Sequence, residues 1–222
     1  MHKPTFKSLI AARRIDTPVW TVLQPSLSVA QQCSVIRSSL GNWPVFVKPA
    51  SGGGSVEASI ARDHQELSHL VERAHVEQPY AQYMAEEYIQ GMPCTVGVVE
   101  IDGRLTTLPV LGVETERPFY DYAAKHDVTL RTEHCPAPLP DWQLDQIRQC
   151  ALNVHRAVGA HGVSRVDFMV CGDRATVLEI NTLPGLSQQG NLATMAKAAG
   201  IAYPDLIGHV LRTAFTKPSY VP

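Results

Sequence analysis

Apolar positions along this chain follow two spacings. A period of three to four residues, the signature of one helical face, marks 3–13, 28–40, 63–77, 141–158, 191–199 and 203–215 as helices. Short runs of alternating or continuous apolar residues predict strands at Val19–Leu23, Val45–Lys48, about 81–89, 94–101, 104–113, 163–171 and 175–181. Local punctuation agrees with these spans. Asp63 stands where a side chain can cap free helix N–H groups, with Glu66 three residues on. Asp102-Gly103 between two runs favours a tight hairpin. In the helix at 141–158, which ends before Gly159, the stripe is read as Trp142, Ile147, Cys150, Ala151, Val154 and Val158. Residues 114–140 carry few periodic apolar positions, several prolines and many charges, which predicts one long loop, functional or mobile.

Helices mixed with hairpin-linked strands, without a repeating strand–helix–strand unit, point to an α+β fold with largely antiparallel sheets. The length of 222 residues is enough for one large domain or two lobes. With 45% apolar and 18% charged residues the chain has material for a core. A net charge of -2 lacks the basic footprint of a nucleic-acid or anionic-membrane binder, so neither partner is expected. No stretch approaches a membrane span and the N-terminus has no apolar leader core, so a cytoplasmic protein is expected. The five cysteines are scattered without CxxC spacing, which argues against a disulfide framework or structural zinc.

Two segments carry candidate chemistry of the metal-binding kind. In Ser164–Met169 and Val177–Thr182, residues two apart share a strand face, so Arg165 groups with Asp167 and Glu179 with Asn181. A symmetric hairpin centred on Asp173 would set Asp167 opposite Glu179 and Arg165 opposite Asn181. Two carboxylates and an amide oxygen are hard ligands suited to Mg²⁺, and Arg165 beside them suits a phosphoryl group or developing oxyanion. The same alternation also describes a half-exposed hairpin whose charges face solvent, and spacing does not separate the two readings. Upstream, Lys48 ends an apolar strand and is followed by Gly52, Gly53, Gly54 and Ser55, a loop able to lay N–H groups over phosphates or simply to connect.

Taken together, Val47-Lys48-Pro49, Gly53-Gly54-Ser55, the Ala85–Ile89 segment AEEYI, the Phe119–Lys125 segment FYDYAAK, Arg165-Val166-Asp167 and the Glu179–Gly185 segment EINTLPG resemble the D-alanine–D-alanine ligase family in order and spacing. The resemblance implies an ATP-grasp fold of two lobes whose sheets enclose the nucleotide, with residues 1–90 as the smaller lobe and its leading helix, and 91–222 as the larger lobe carrying the metal site. It implies ATP and Mg²⁺ (or Mn²⁺) as cofactors, with Lys3, Lys48 and Ser55 on the phosphates and Glu86 and Ile89 on the adenine. Asp167, Glu179 and Asn181 would hold the metal. Lys125 would reach the γ-phosphate, and Arg165 with the backbone at Gly185 would stabilise the tetrahedral intermediate.

The implied activity is ATP-dependent ligation of an amino-acid carboxylate to an amine through an acyl phosphate, as in peptidoglycan assembly; the alternative is a non-catalytic ATP-binding or interaction module, or a ligase fragment needing a partner chain. The family's N-terminal domain has no counterpart here, which implies a homo-oligomer or a partner chain in its place. Pro93 stands where the family's ribose-binding acid aligns, and His126 where peptide-forming members carry tyrosine.

Overall fold

The structure, a computed structural model, describes residues 1–53, 57–77 and 81–217. The chain divides into two compact units. One comprises Met1–Ser8, Thr17–Gln90 and Thr115–Leu130, and the other Leu9–Asp16, Gly91–Glu114 and the chain from Arg131 on.

The first unit is built on a four-stranded antiparallel sheet of β1 (Trp20–Val22), β2 (Val45–Pro49), β3 (Ser59–Ala61) and β4 (Tyr83–Glu87), in the order β1-β4-β2-β3. Helices α2 (Val29–Leu40) and α3 (His64–Glu77) pack on one face, where Val45, Val47, Ala61, Tyr83 and Ala85 meet Cys33, Ile36, Leu67 and Val71. Strand alternation turns the intervening residues, Phe46, Lys48, Met84 and Glu86, to the other face. Both helices start on side-chain caps. Ser28 and Gln31 form a reciprocal capping box on α2. On α3, Asp63 Oδ1 accepts from Glu66 N at 2.8 Å, but Glu66 returns its bond to Arg62 N, one residue earlier than the box expected from sequence. The leading helix α1 (Lys3–Ala12) contributes its first turns to this unit.

In the second unit, β5 (Met92–Ile101), β7 (Leu111–Glu114), β8 (Thr132–His134), β9 (Val163–Cys171) and β10 (Arg174–Asn181) run antiparallel in the order β10-β9-β5-β7-β8, with β6 (Arg104–Thr107) also on β5. Helix α5 (Asp141–Ala157) covers one face, burying Ile147, Ala151 and Val154 with Val166, Phe168 and Val170. The opposite face of β9 presents Arg165 and Asp167. Helices α6 (Asn191–Ala198) and α7 (Tyr203–Thr216) complete the unit. Gly91 is required because a Cβ there would strike the Val170 carbonyl.

Three sequence expectations change. The strand placed at 104–113 is two strands: after β6 the chain breaks at Leu108–Val110 and re-enters as β7, pairing with the other half of β5. The stretch read as one loop, 114–140, contains α4 (Tyr122–His126), a single 3₁₀ turn at Val128–Leu130 and β8. Such short elements are held by caps and tertiary bonds, which leave little periodic signal. Trp142 is 53% exposed rather than part of the buried stripe. At about 3.6 residues per turn its five-residue offset from Ile147 turns it away, and Gln143 is buried instead, with Nε2 donating to Gly172 O at 2.8 Å.

Candidate metal and phosphate sites

In the second unit one row of side chains runs across three strands. Glu179 on β10 pairs with Asp167 on β9, which pairs with Thr95 on β5; in the next row Asn181 pairs with Arg165, and Arg165 with Gly97. This is the pairing expected from sequence, reached by another route. The turn is the two-residue Gly172-Asp173, so Arg174 pairs with Cys171 and Val177 with Phe168, a register that would turn Glu179 toward the core. A β-bulge between Val177 and Glu179 takes up one residue and moves Glu179 and Asn181 onto the face of Asp167. Just before the bulge, Asp16 braces the outer edge of β10: its carbonyl accepts from Val177 N at 2.9 Å and its carboxylate from Arg174 Nε at 2.8 Å.

Asp167 is the centre of this row. Arg165 grips it from two sides, Nε to Oδ1 at 2.9 Å and Nη2 to Oδ2 at 2.9 Å. Thr95 Oγ1 donates to Oδ1 at 2.6 Å, and Asn181 Nδ2 donates to Oδ2 at 3.2 Å. The donors thus include a guanidinium where a cation would be electrostatically equivalent. Among the described residues no group of three or more His, Cys, Asp or Glu gathers. The row instead offers two carboxylates and an amide. That set fits Mg²⁺, which takes one or two carboxylates and completes its octahedron with water and phosphate oxygens.

The first unit holds a buried cation–anion–cation trio on the sheet face away from α2 and α3. Lys48 and Lys7 both pair with Glu86, Lys7 Nζ lying 3.0 Å from Oε2; the side chains of Lys7 and Glu86 are 0% and 4% exposed, and that of Lys48 11%. Burial works against the charged carboxylate, but the charges of Lys48 and Lys7 and their hydrogen bonds outweigh it and hold Glu86 below its ordinary pKa. Lys7 also donates to Thr17 Oγ1 at 2.8 Å. Lys3 Nζ donates to the carbonyls of Pro49 at 3.3 Å and Gly52 at 3.1 Å, tying α1 to the start of the glycine-rich loop. Sequence reasoning named Lys3 but missed Lys7, although the two are four residues apart and share a helix face.

Ser55 and the side chain of Lys125 lie outside the described residues. The backbone that carries Lys125 is nevertheless well anchored. Asp121 caps α4 through Ala124 N at 2.9 Å and takes Arg117 Nε at 2.7 Å, and Phe119 stacks edge-on against Phe46 at 5.1 Å between centroids. Ile89 follows the end of β4 and is half-buried, while Gly185 is exposed, beyond β10, in a loop tied to α7 by Tyr203 Oη donating to Leu186 O at 2.8 Å.

A lysine-bearing antiparallel sheet in one unit and a carboxylate–amide–arginine row on a second antiparallel sheet define an α+β protein of ATP-grasp fold. The D-alanine–D-alanine ligase from Bacillus anthracis complexed with ATP superposes with a TM-score of 0.78 and 25% identity, covering 97% of this chain and 66% of that one. A D-alanine–D-alanine ligase from Syntrophotalea carbinolica is 32% identical over 214 residues, and one from Mycobacterium tuberculosis 33% identical over 224. These alignments take in 96% and 98% of the chain but only 66% and 59% of the two relatives. Residues 9–212 match the family described as the D-ala D-ala ligase C-terminus, and the chain belongs to it.

Proposed function

We propose that this chain takes part in ATP-dependent ligation of a carboxylate to an amine through an acyl phosphate, the substrates being amino acids or similar small molecules. The observation that carries the reading is the row Asp167, Glu179, Asn181 and Arg165, brought to one sheet face by a bulge that an ordinary hairpin would lack. A carboxylate resists attack by an amine because its carbon is a poor electrophile. Mg-ATP, when bound, supplies the phosphoryl group that turns the carboxylate oxygen into a leaving group. In this reading Asp167, Glu179 and Asn181 hold the metal, and Arg165 and the Gly185 backbone bind the charge that develops on the reacting oxygen.

The smaller lobe, residues 1–90, provides the nucleotide's partners: Lys3, Lys48 and Ser55 for phosphates, and Glu86 and Ile89 beside the adenine. The Glu86 carboxylate, engaged by Lys48 and Lys7, orients Lys48 as well. Lys125 approaches the γ-phosphate from the segment capped by Asp121. Dependence on ATP places the activity in the cytoplasm, and among the described residues no helix is long and apolar enough to cross a membrane.

The test is ADP release with Mg-ATP across D- and L-amino acids and small hydroxy acids, with Glu179→Ala as control. Substrate-dependent release that disappears in the variant is expected. ATP binding without release for any substrate would instead identify a binding module.

A further inference from the structure

Thr95 belongs to no motif singled out in the sequence, yet it touches the centre of the metal row. It lies on β5 directly across from Asp167 and is 5% exposed. Its hydroxyl has one proton and two acceptors in reach, the Val166 carbonyl at 3.2 Å and Asp167 Oδ1 at 2.6 Å. The shorter contact has the length of an O–H···O⁻ bond, and a charged acceptor wins the proton over a neutral one. A strand threonine that needed only to be satisfied would have the carbonyl for that purpose.

The two oxygens of Asp167 are unequal in consequence. Oδ1 receives Thr95 Oγ1 and Arg165 Nε, whereas Oδ2 receives Arg165 Nη2 and Asn181 Nδ2. Oδ2 is therefore the oxygen turned toward Asn181, the neighbouring member of the proposed ligand set. Arg165 sits on the same strand as Asp167 and competes with any cation for the carboxylate, so it cannot be what orients Asp167 toward a metal. Thr95 reaches across from β5 to Oδ1 and adds no charge.

We propose that Thr95 is a positioning residue for metal binding: its hydroxyl pins Oδ1 and so fixes the rotation of the Asp167 carboxylate with Oδ2 presented to the metal. This rests on the reading of Asp167 as a metal ligand. Outer partners of ligating carboxylates contribute about 10- to 100-fold in metal affinity when removed. Valine keeps the β-branched shape that suits the strand and replaces the hydroxyl with a methyl group that cannot donate.

The experiment is a titration of the full chain with Mn²⁺, without nucleotide, followed by the loss of the free-ion electron paramagnetic resonance signal. Asp167→Asn, Thr95→Val and Thr95→Ser are compared with the wild type, and each variant's thermal melt is recorded. Thr95→Val should weaken Mn²⁺ binding by about tenfold, Asp167→Asn by more, and Thr95→Ser should stay close to wild type. Should Thr95→Val not fold, Thr95→Ala against Thr95→Ser makes the same comparison. Wild-type Mn²⁺ affinity in Thr95→Val beside a weakened Asp167→Asn would overturn the positioning role and leave threonine a strand-packing residue. Unchanged affinity in Asp167→Asn would remove the metal-ligand reading itself, and the role of Thr95 with it.

Discussion

At the scale of single residues, charge competition is the common theme. Arg165 neutralises Asp167 with two 2.9 Å bonds, so a metal ion must displace it to use that carboxylate. Arg165→Ala is therefore expected to tighten nucleotide-free Mn²⁺ binding by about threefold to tenfold, on the scale of one partly solvated charge pair, while reducing ligation. Opposite movement of the two readouts distinguishes this from simple damage to the site. In the first unit, Glu86 carries two lysines. Glu86→Gln leaves Lys7 buried beside a neutral amide, and chemical denaturation should register a loss of about 3–5 kcal/mol.

The pH dependence of Glu86 has a definite sign. Its folded pKa lies below the ordinary 4.5, so its contribution to stability is complete above that value and disappears as pH falls through the folded pKa. His155 titrates in a different window. It is fully buried, with Nδ1 2.7 Å from Ser164 Oγ, and burial pushes its pKa below the ordinary 6.5. The unfolded chain then binds a proton that the folded chain refuses, so stability drops as pH descends from 6.5 toward the folded value. Urea midpoints should fall across that range in the wild type and stay flatter in His155→Gln.

At the scale of elements, the β9–β10 hairpin shows how one residue decides a site. Leu178 is the surplus residue of the bulge; were it to take a regular place in the ladder opposite Asp167, Glu179 and Asn181 would alternate onto the α5 face. Deleting Leu178 leaves Glu179 next after Val177 and still opposite Asp167, so Mn²⁺ binding should survive the deletion. Inserting one residue between Leu178 and Glu179, by contrast, should turn Glu179 and Asn181 to the α5 face and abolish both Mn²⁺ binding and substrate-dependent ADP release, while circular dichroism still reports a folded α+β protein. The positions of the hairpin's strands were legible in their alternation of Val166, Phe168, Leu178 and Ile180 with polar residues. The bulge was not, because a one-residue slip costs nothing in composition and is stabilised by Asp16, more than 150 residues away in sequence. Segment 114–140 was misread for a related reason: its short helix depends on the Asp121 cap and on Phe119 packing against Phe46, contacts that set no period.

At the scale of the whole molecule, thiol chemistry reports on packing in both units at once. All five cysteines are free. Cys171 is exposed at its hairpin tip, Cys33 and Cys94 are buried, and burial pushes Cys94 up to about 12 and Cys135 and Cys150 up to about 11. Since the thiolate is the reactive form, brief iodoacetamide treatment of the native protein should modify Cys171 first, with the other four labelled only after denaturant. Peptide mass spectrometry checks the order.

What the sequence determined by itself was whatever is written in local spacing: the helices, most strands, the α+β class, and the motifs that place the chain in its family. Asp167, Glu179, Asn181 and Arg165 were visible as candidates because strand alternation is a two-residue rule. The tertiary structure alone decided that Lys7 shares Glu86 with Lys48, that a bulge rather than the turn sets the register of Glu179, and that Thr95 holds Asp167. Each of these depends on residues distant in sequence meeting across a sheet face. Such meetings are set by how strands pair and helices dock, and a one-residue change in pairing leaves the local pattern of apolar and polar residues almost untouched.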